Sequence, residues 1–158
     1  MKKIITILFS FLLFAITVNG QNMAQLKYEP LFILKQILKH KDLAYKPEIP
    51  FPDLFFASKT QTEIFQEDIF PQWGFKPDFI TNVYVAHSNH IYISDDQSYY
   101  DEMKRCMDDS LAHELTHYIQ YKYRGWDLND DSLEWDAIDT QTWFRENHCQ
   151  DQGRLGLR

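Results

Sequence analysis

Residues 111–120 read LAHELTHYIQ, and inside them stands His113-Glu114-Leu115-Thr116-His117. Histidines four apart on an α-helix share one face and lie about 6 Å apart along its axis, so both imidazoles can reach one ion without backbone strain. Glu114 follows the first histidine and projects about 100° round the helix from it, which puts its carboxylate beside such an ion. There it can take a proton from water instead of ligating. The pattern therefore assigns His113 and His117 as metal ligands, Glu114 as general base and zinc as the metal. The plain alternative is an ordinary helix carrying two solvated histidines.

The surroundings extend this helix in both directions. Residues 95–98 close a preceding strand, and Ser98 with Asp101 three residues on resembles an N-terminal cap. Helix then runs through the motif to Arg124, with a break expected near Asp108-Asp109, and Gly125 ends it. Met103, Met107, Ser110, Glu114, His117 and either Gln120 or Tyr121 recur at three-and-four spacing, so this face should point inward. Upstream, residues 79–94 alternate and are rich in β-branched and aromatic side chains. They predict a hairpin of strands 82–86 and 90–94 joined at His87-Ser88-Asn89. His87 and His90 flank that turn and are read as solvated, since the helix already supplies two nitrogens.

Downstream, Asp127-x-Asn129-x-Asp131 imitates the start of a calcium loop but lacks the glycine at its sixth position and the carboxylate at its twelfth. It is read as a solvated acidic turn. A final helix is expected over residues 132–147, with Leu133, Ala137, Ile138, Gln141 and Phe144 along one face and a frayed end from Asp151.

A catalytic zinc takes three protein ligands and keeps one position for water. A third histidine six residues after His117 is excluded, because Tyr123 stands there. A carboxylate from the later helix is the remaining standard solution. Glu134 lies seventeen residues past His117, enough for the first helix to finish, turn at Gly125 and return antiparallel. Ala137, one turn on, is small enough to let the two helices close together. Glu134 could instead serve an Asp131 cap as its third-position partner. Asp136 is the runner-up ligand, although on a helix its shorter side chain points about 160° away.

On these residues the chain resembles the gluzincin metallopeptidases: HELTH followed by Glu134-Trp135-Asp136-Ala137 looks like their HExxH…ExxA arrangement. Ile91-Tyr92-Ile93, LAHELTHYIQ and Glu134-x-x-Ala137-x-x-x-Gln141-x-Trp143 together resemble a family of small exported bacterial proteins known only as a domain of unknown function with metallopeptidase character. The resemblance covers roughly residues 80–145. It implies a minimal zincin-like α+β domain, a small antiparallel sheet or hairpin packed on the motif helix and a second, ligand-bearing helix. It also implies His113, His117 and Glu134 as ligands and Glu114 as base. Many relatives carry a carboxylate directly after the alanine, whereas here Asp139 comes two residues later, which leaves the groups supporting the histidines open.

The rest of the chain bounds this reading. With 158 residues there is room for one domain. Lys2 and Lys3 precede an apolar run over residues 4–18, and Asn19-Gly20-Gln21-Asn22 follows, the layout of a secretory signal peptide over residues 1–20. Residues 21–158 would then be an exported, soluble domain without stable membrane insertion. The formal charge is −7, or −9 without Lys2 and Lys3, which argues against a nucleic-acid partner. Cys106 and Cys149 are expected to form a disulfide in an oxidising compartment. Residues 26–41 read as an amphipathic helix. Five prolines over residues 45–77 leave room only for short pieces, a strand at 54–57 and a helix at 62–70.

The expected activity is that of a zinc-dependent hydrolase, in first place a peptidase acting on a peptide or protein substrate as a monomer. Strand 90–94 is the expected edge for that substrate. Tyr118, Tyr121, Tyr123 and His148 are all able to stabilise an oxyanion, and the sequence does not choose among them. The alternative is a non-catalytic, zinc-binding exported module.

Overall fold

The computed structural model describes residues 22–149. The expected signal peptide and the expected frayed end lie outside them. The described chain is α+β, with five α-helices and one three-stranded sheet.

The sheet holds β1 (Asp53–Phe56), β2 (Val83–Val85) and β3 (His90–Ile93) in the order β1-β3-β2. β2 and β3 are the antiparallel hairpin, and β1 lies parallel to β3 on its other side. The sheet is therefore mixed, not antiparallel throughout. A parallel neighbour requires a crossover, and the chain between β1 and β2 supplies one as a helix. This arrangement also makes β3 the central strand, so it cannot be the free edge for a substrate. Both of its ladders are occupied, and on the hairpin side the outer edge belongs to β2.

Side chains alternate across the sheet, so its two faces carry different cores. Tyr84, Ile91 and Ile93 face the main core, with Ile33, Leu34, Ile37 and Leu38 of α1 (Pro30–His40) and Leu111, Leu115 and Ile119 of α4 (Met107–Lys122). The three α4 residues are four apart and none is exposed, each contributing about 2 kcal/mol of burial. On the opposite face Val83, Val85 and Tyr92 pack against Phe65 and Ile69 of α2 (Thr62–Trp73). α2 runs past the expected end through Pro71 to Trp73 and stops at Gly74, whose φ of +74° suits glycine.

Helix starts are decided by caps more than by periodicity. α1 begins at Pro30, not at 26, since proline suits a first helical position and the Lys27 and Tyr28 amides are taken by the Asp108 carboxylate. α3 (Gln97–Met103) is capped by Asp96, which accepts from the Ser98 amide; Ser98 lies inside the helix. The break before the motif helix falls at residues 104–106, with Lys104 in the left-handed region at φ +52°, and not at Asp108-Asp109. Those two aspartates sit in the first turn of α4, where carboxylates are favoured. Met103 is exposed, whereas Met107, Ser110, Glu114 and Gln120 are buried; of the pair left open, Gln120 faces inward and Tyr121 outward.

α4 ends near Gly125, at φ +66°, and α5 (Leu133–Phe144) returns along it, followed by a π-helical turn at Arg145–Cys149. Ala137 is fully buried between the two helices. Cys106 at the start of α4 and Cys149 after α5 are joined in a disulfide, with Cα atoms 6.2 Å apart. None of the described helices is long and apolar enough to cross a membrane.

Candidate metal centre

Three side chains from two helices converge on one point. His113 Nε2 and His117 Nε2 are 3.1 Å apart, Glu134 Oε2 is 3.4 Å from His113 Nε2, and Glu134 Oε1 is 3.1 Å from His117 Nε2. Zinc ligands at about 2.0–2.1 Å in tetrahedral array lie about 3.3 Å from one another, so this triangle has the size of one face of such a site. The histidines are largely buried and Glu134 is half-exposed, so the centre opens on the α5 side. The second group of metal-binding type, Cys106, Asp109 and Cys149, has both its sulfurs committed to the disulfide.

The antiparallel return of α5 brings Glu134, and not Asp136, to the histidines. Asp136 instead accepts from Lys41 Nζ at 2.6 Å and from Gln120 Nε2 at 3.0 Å. Burial pushes its carboxyl up, but those two donors hold it below the usual range. No capping box involves Glu134: α5 starts after Ser132 without a side-chain cap, and Glu134 reaches Asp131 only through its amide.

Each histidine is backed by a glutamine. His117 Nδ1 lies 2.9 Å from Gln120 Oε1, and the amide end of Gln120 donates to Leu133 O and to Asp136, both at 3.0 Å. With its N–H groups so placed, Gln120 can only accept from the ring. The His117 proton is thereby on Nδ1 and the Nε2 lone pair points at the centre. Behind His113 stands Gln141, whose Nε2 donates to the buried Asp109 at 2.9 Å, leaving its oxygen for the imidazole. The buried His113 Nδ1 has no acceptor within hydrogen-bond distance, so this second contact is the looser one. Burial, aided by His117, pushes His113 down to about 4. Asp139, two residues after the alanine, is exposed.

Glu114 is buried one residue after His113, beside the backbone N–H of Tyr84 on β2. Burial, with the Glu134 charge adding, raises its carboxyl to about 8. A group so placed can hold a proton near neutrality. Of the four oxyanion candidates, Tyr118 donates to Pro50 O, Tyr123 accepts from the Lys46 amide, and His148 stacks on Phe144. Tyr121 is exposed, with its ring 6.4 Å from that of Tyr84.

His87 is half-exposed, in keeping with a solvated turn residue, whereas His90 is largely buried, and both rings reach Asp68. His90 Nδ1 lies 2.8 Å from Asp68 Oδ2 and His87 Nε2 lies 3.3 Å from Oδ1, while Ser88 and Tyr92 donate to Oδ2 at 3.0 and 2.9 Å. Asp68 of α2 thus clasps the hairpin from the face opposite the centre. Burial pushes its carboxyl up, but the His90, Tyr92 and Ser88 contacts bring it below the usual range. The acidic turn behaves as read, with Asp127 accepting from the Asn129 amide in an exposed loop.

The supporting glutamines went unassigned from sequence, although a signal was present. Gln120 is three residues after His117 and Gln141 seven after Glu134, each on its ligand's face. Comparison with protein-family models, curated proteins and solved structures returns no match.

Proposed function

We propose that this chain is a zinc-dependent metallopeptidase of gluzincin-like, minimal zincin type, exported to an oxidising compartment. The observation that carries the reading is the triangle of His113, His117 and Glu134, with edges of 3.1–3.4 Å, beside a buried Glu114. A structural site has no use for a buried base next to its ligands, whereas hydrolysis requires one.

His113, His117 and Glu134 would hold the ion. When bound, zinc supplies Lewis acidity and makes a water acidic near neutral pH. Glu114 accepts the proton of the attacking water and returns it to the leaving amine, being buried directly beside the proposed ligands. Gln120 and Asp136 fix the ring of His117. Of the four oxyanion candidates Tyr121 is the exposed one, and it is the residue we assign to meet the substrate oxygen. The substrate is a peptide or protein, and its partner edge is β2, whose Tyr84 amide faces Glu114. The Cys106–Cys149 disulfide fits export.

Purified mature chain should carry about one zinc, lost in His113→Ala. Glu114→Gln should keep the zinc and lose peptide turnover. Metal-free, fully folded wild type would refute the zinc site, and equal turnover in Glu114→Gln would remove the base. Zinc binding without turnover in the wild type would leave a binding module.

A further inference from the structure

The outer edge of β2 is the only side of the hairpin on which a chain could be added, and part of it is already filled. In an antiparallel ladder, alternate residues turn both backbone groups towards the partner and the residues between them turn theirs away. Asn89 O receives the Asp53 amide, so Asn89 and Ile91 serve β1, while His90 and Tyr92 serve β2. Val83 and Val85, opposite Tyr92 and His90, accordingly face inward to β3, and Asn82, Tyr84 and Ala86 face outward.

Gln72 occupies two of those outward groups with one carboxamide. Its Nε2 donates to Tyr84 O at 3.1 Å, and its Oε1 accepts from the Ala86 amide at 3.1 Å. A donor to residue i and an acceptor from residue i+2 is what a single residue of a strand added in parallel provides, and the same two groups are then lost to an antiparallel one. The next outward group along the strand, the Tyr84 amide, faces Glu114. The chain's own side chain therefore stands in the strand-pairing position immediately beside the base. Its attachment is firm: α2 continues through Pro71 to Trp73, and Phe65 and Ile69 seat that helix on Val83, Val85 and Tyr92.

We propose that Gln72 sets the substrate class by closing the β2 edge on the turn side of Tyr84, so that the centre takes the ends of peptide chains and not the interior of a long chain. This rests on the metallopeptidase reading above. With Tyr84 O taken by Gln72 and the Tyr84 amide facing Glu114, a bound chain can pair with β2 only on the Asn82 side of Tyr84, and a chain continuing towards the hairpin turn meets the carboxamide of Gln72.

The test uses the full mature chain, zinc-loaded, with and without Gln72→Ala. Cuts in free and doubly end-blocked octapeptides are mapped by mass spectrometry. Wild type is expected to cut one or two residues from an end. Gln72→Ala should raise the ratio of internal to terminal cuts on the order of tenfold, in keeping with two backbone hydrogen bonds of ordinary net strength. An unchanged ratio overturns the proposal. A second readout needs no turnover: binding of a fluorescent, end-blocked octapeptide to Glu114→Gln and to Glu114→Gln/Gln72→Ala. About tenfold tighter binding is expected without Gln72, and equal or absent binding in both overturns the proposal. Tighter binding combined with no cleavage by wild type overturns the peptidase reading and leaves the closed edge standing. Gln72→Glu keeps the acceptor for Ala86 and loses the donor to Tyr84; an intermediate effect supports the proposal should alanine unfold the strand, and no effect overturns it.

Discussion

Replacing Gln120 by leucine separates what holds the proposed zinc-binding His117 from what holds the fold. Gln120 makes three contacts: with His117 Nδ1 at 2.9 Å, with Leu133 O at 3.0 Å and with Asp136 at 3.0 Å. Only the first touches a ligand. Leucine has nearly the same volume, so the packing between α4 and α5 survives. Without the acceptor the imidazole is free to move its proton to Nε2 and to turn, and loss of such a supporting contact typically lowers metal affinity 10–100-fold, or about 1.4–2.8 kcal/mol. The two abandoned contacts act on folding instead. A part-buried carbonyl and a part-buried carboxylate each lose a donor, which destabilises the metal-free protein by about 1–3 kcal/mol in total. Zinc affinity is read by competition with a chromogenic chelator, and metal-free stability by urea unfolding in EDTA. Ser58→Ala is the control: it removes the Ser58 Oγ contact to Asp95, 2.5 Å long and outside the centre, and should lower stability while leaving zinc affinity unchanged. Wild-type zinc affinity in Gln120→Leu would refute the argument. Equal zinc losses in Gln120→Leu and Ser58→Ala would show that general destabilisation is the cause.

Cys149→Ser opens a 43-residue loop closed by the disulfide, and the chain-entropy relation gives a loss of about 4 kcal/mol, to be seen as a lower melting temperature that added reductant no longer changes. Asp68→Asn should weaken the clasp on the hairpin in a pH-dependent way. Because the folded-state carboxyl lies below its unfolded value, its contribution is present above the unfolded pKa, about 3.9, and is lost as pH falls through the folded value. Stabilities of wild type and Asp68→Asn from urea unfolding should therefore differ near pH 6 by about 1–3 kcal/mol and converge as the pH falls through the folded value. A constant gap across that range would mean that the carboxylate charge is not what holds His90, Ser88 and Tyr92.

Much of the candidate site was legible because helical spacing is a local property. His113 and His117 share a face whatever the helix packs on, and Glu134 with Ala137 repeats at one turn in the same way. The disulfide was expected from two cysteines in an exported chain, and the antiparallel helices bring them together. Capping was harder to read, since Asp96 and Ser98 are both competent caps by composition and only the path of the chain selects Asp96. The hairpin histidines were read as solvated because Asp68 lies about twenty residues earlier, on a helix whose position relative to the turn is not a local property.

By itself the sequence determined the main elements, the motif helix, the returning helix and the hairpin, and the helical spacing of the candidate ligands. These follow from periodicity, turn residues and caps, which act over a few residues. Only the tertiary structure decided strand order, which made β3 central and β2 the open edge, because a parallel partner from residues 53–56 arrives through a helical crossover. It also decided that Glu134 meets the histidines while Asp136 turns to Lys41 and Gln120, since both lie in the same turn and only the seating of α5 on α4 and α1 sorts them. The placement of Gln72 on the β2 edge belongs to the same class, for it depends on how far α2 continues beyond Pro71 and on the core that presses that helix to the sheet.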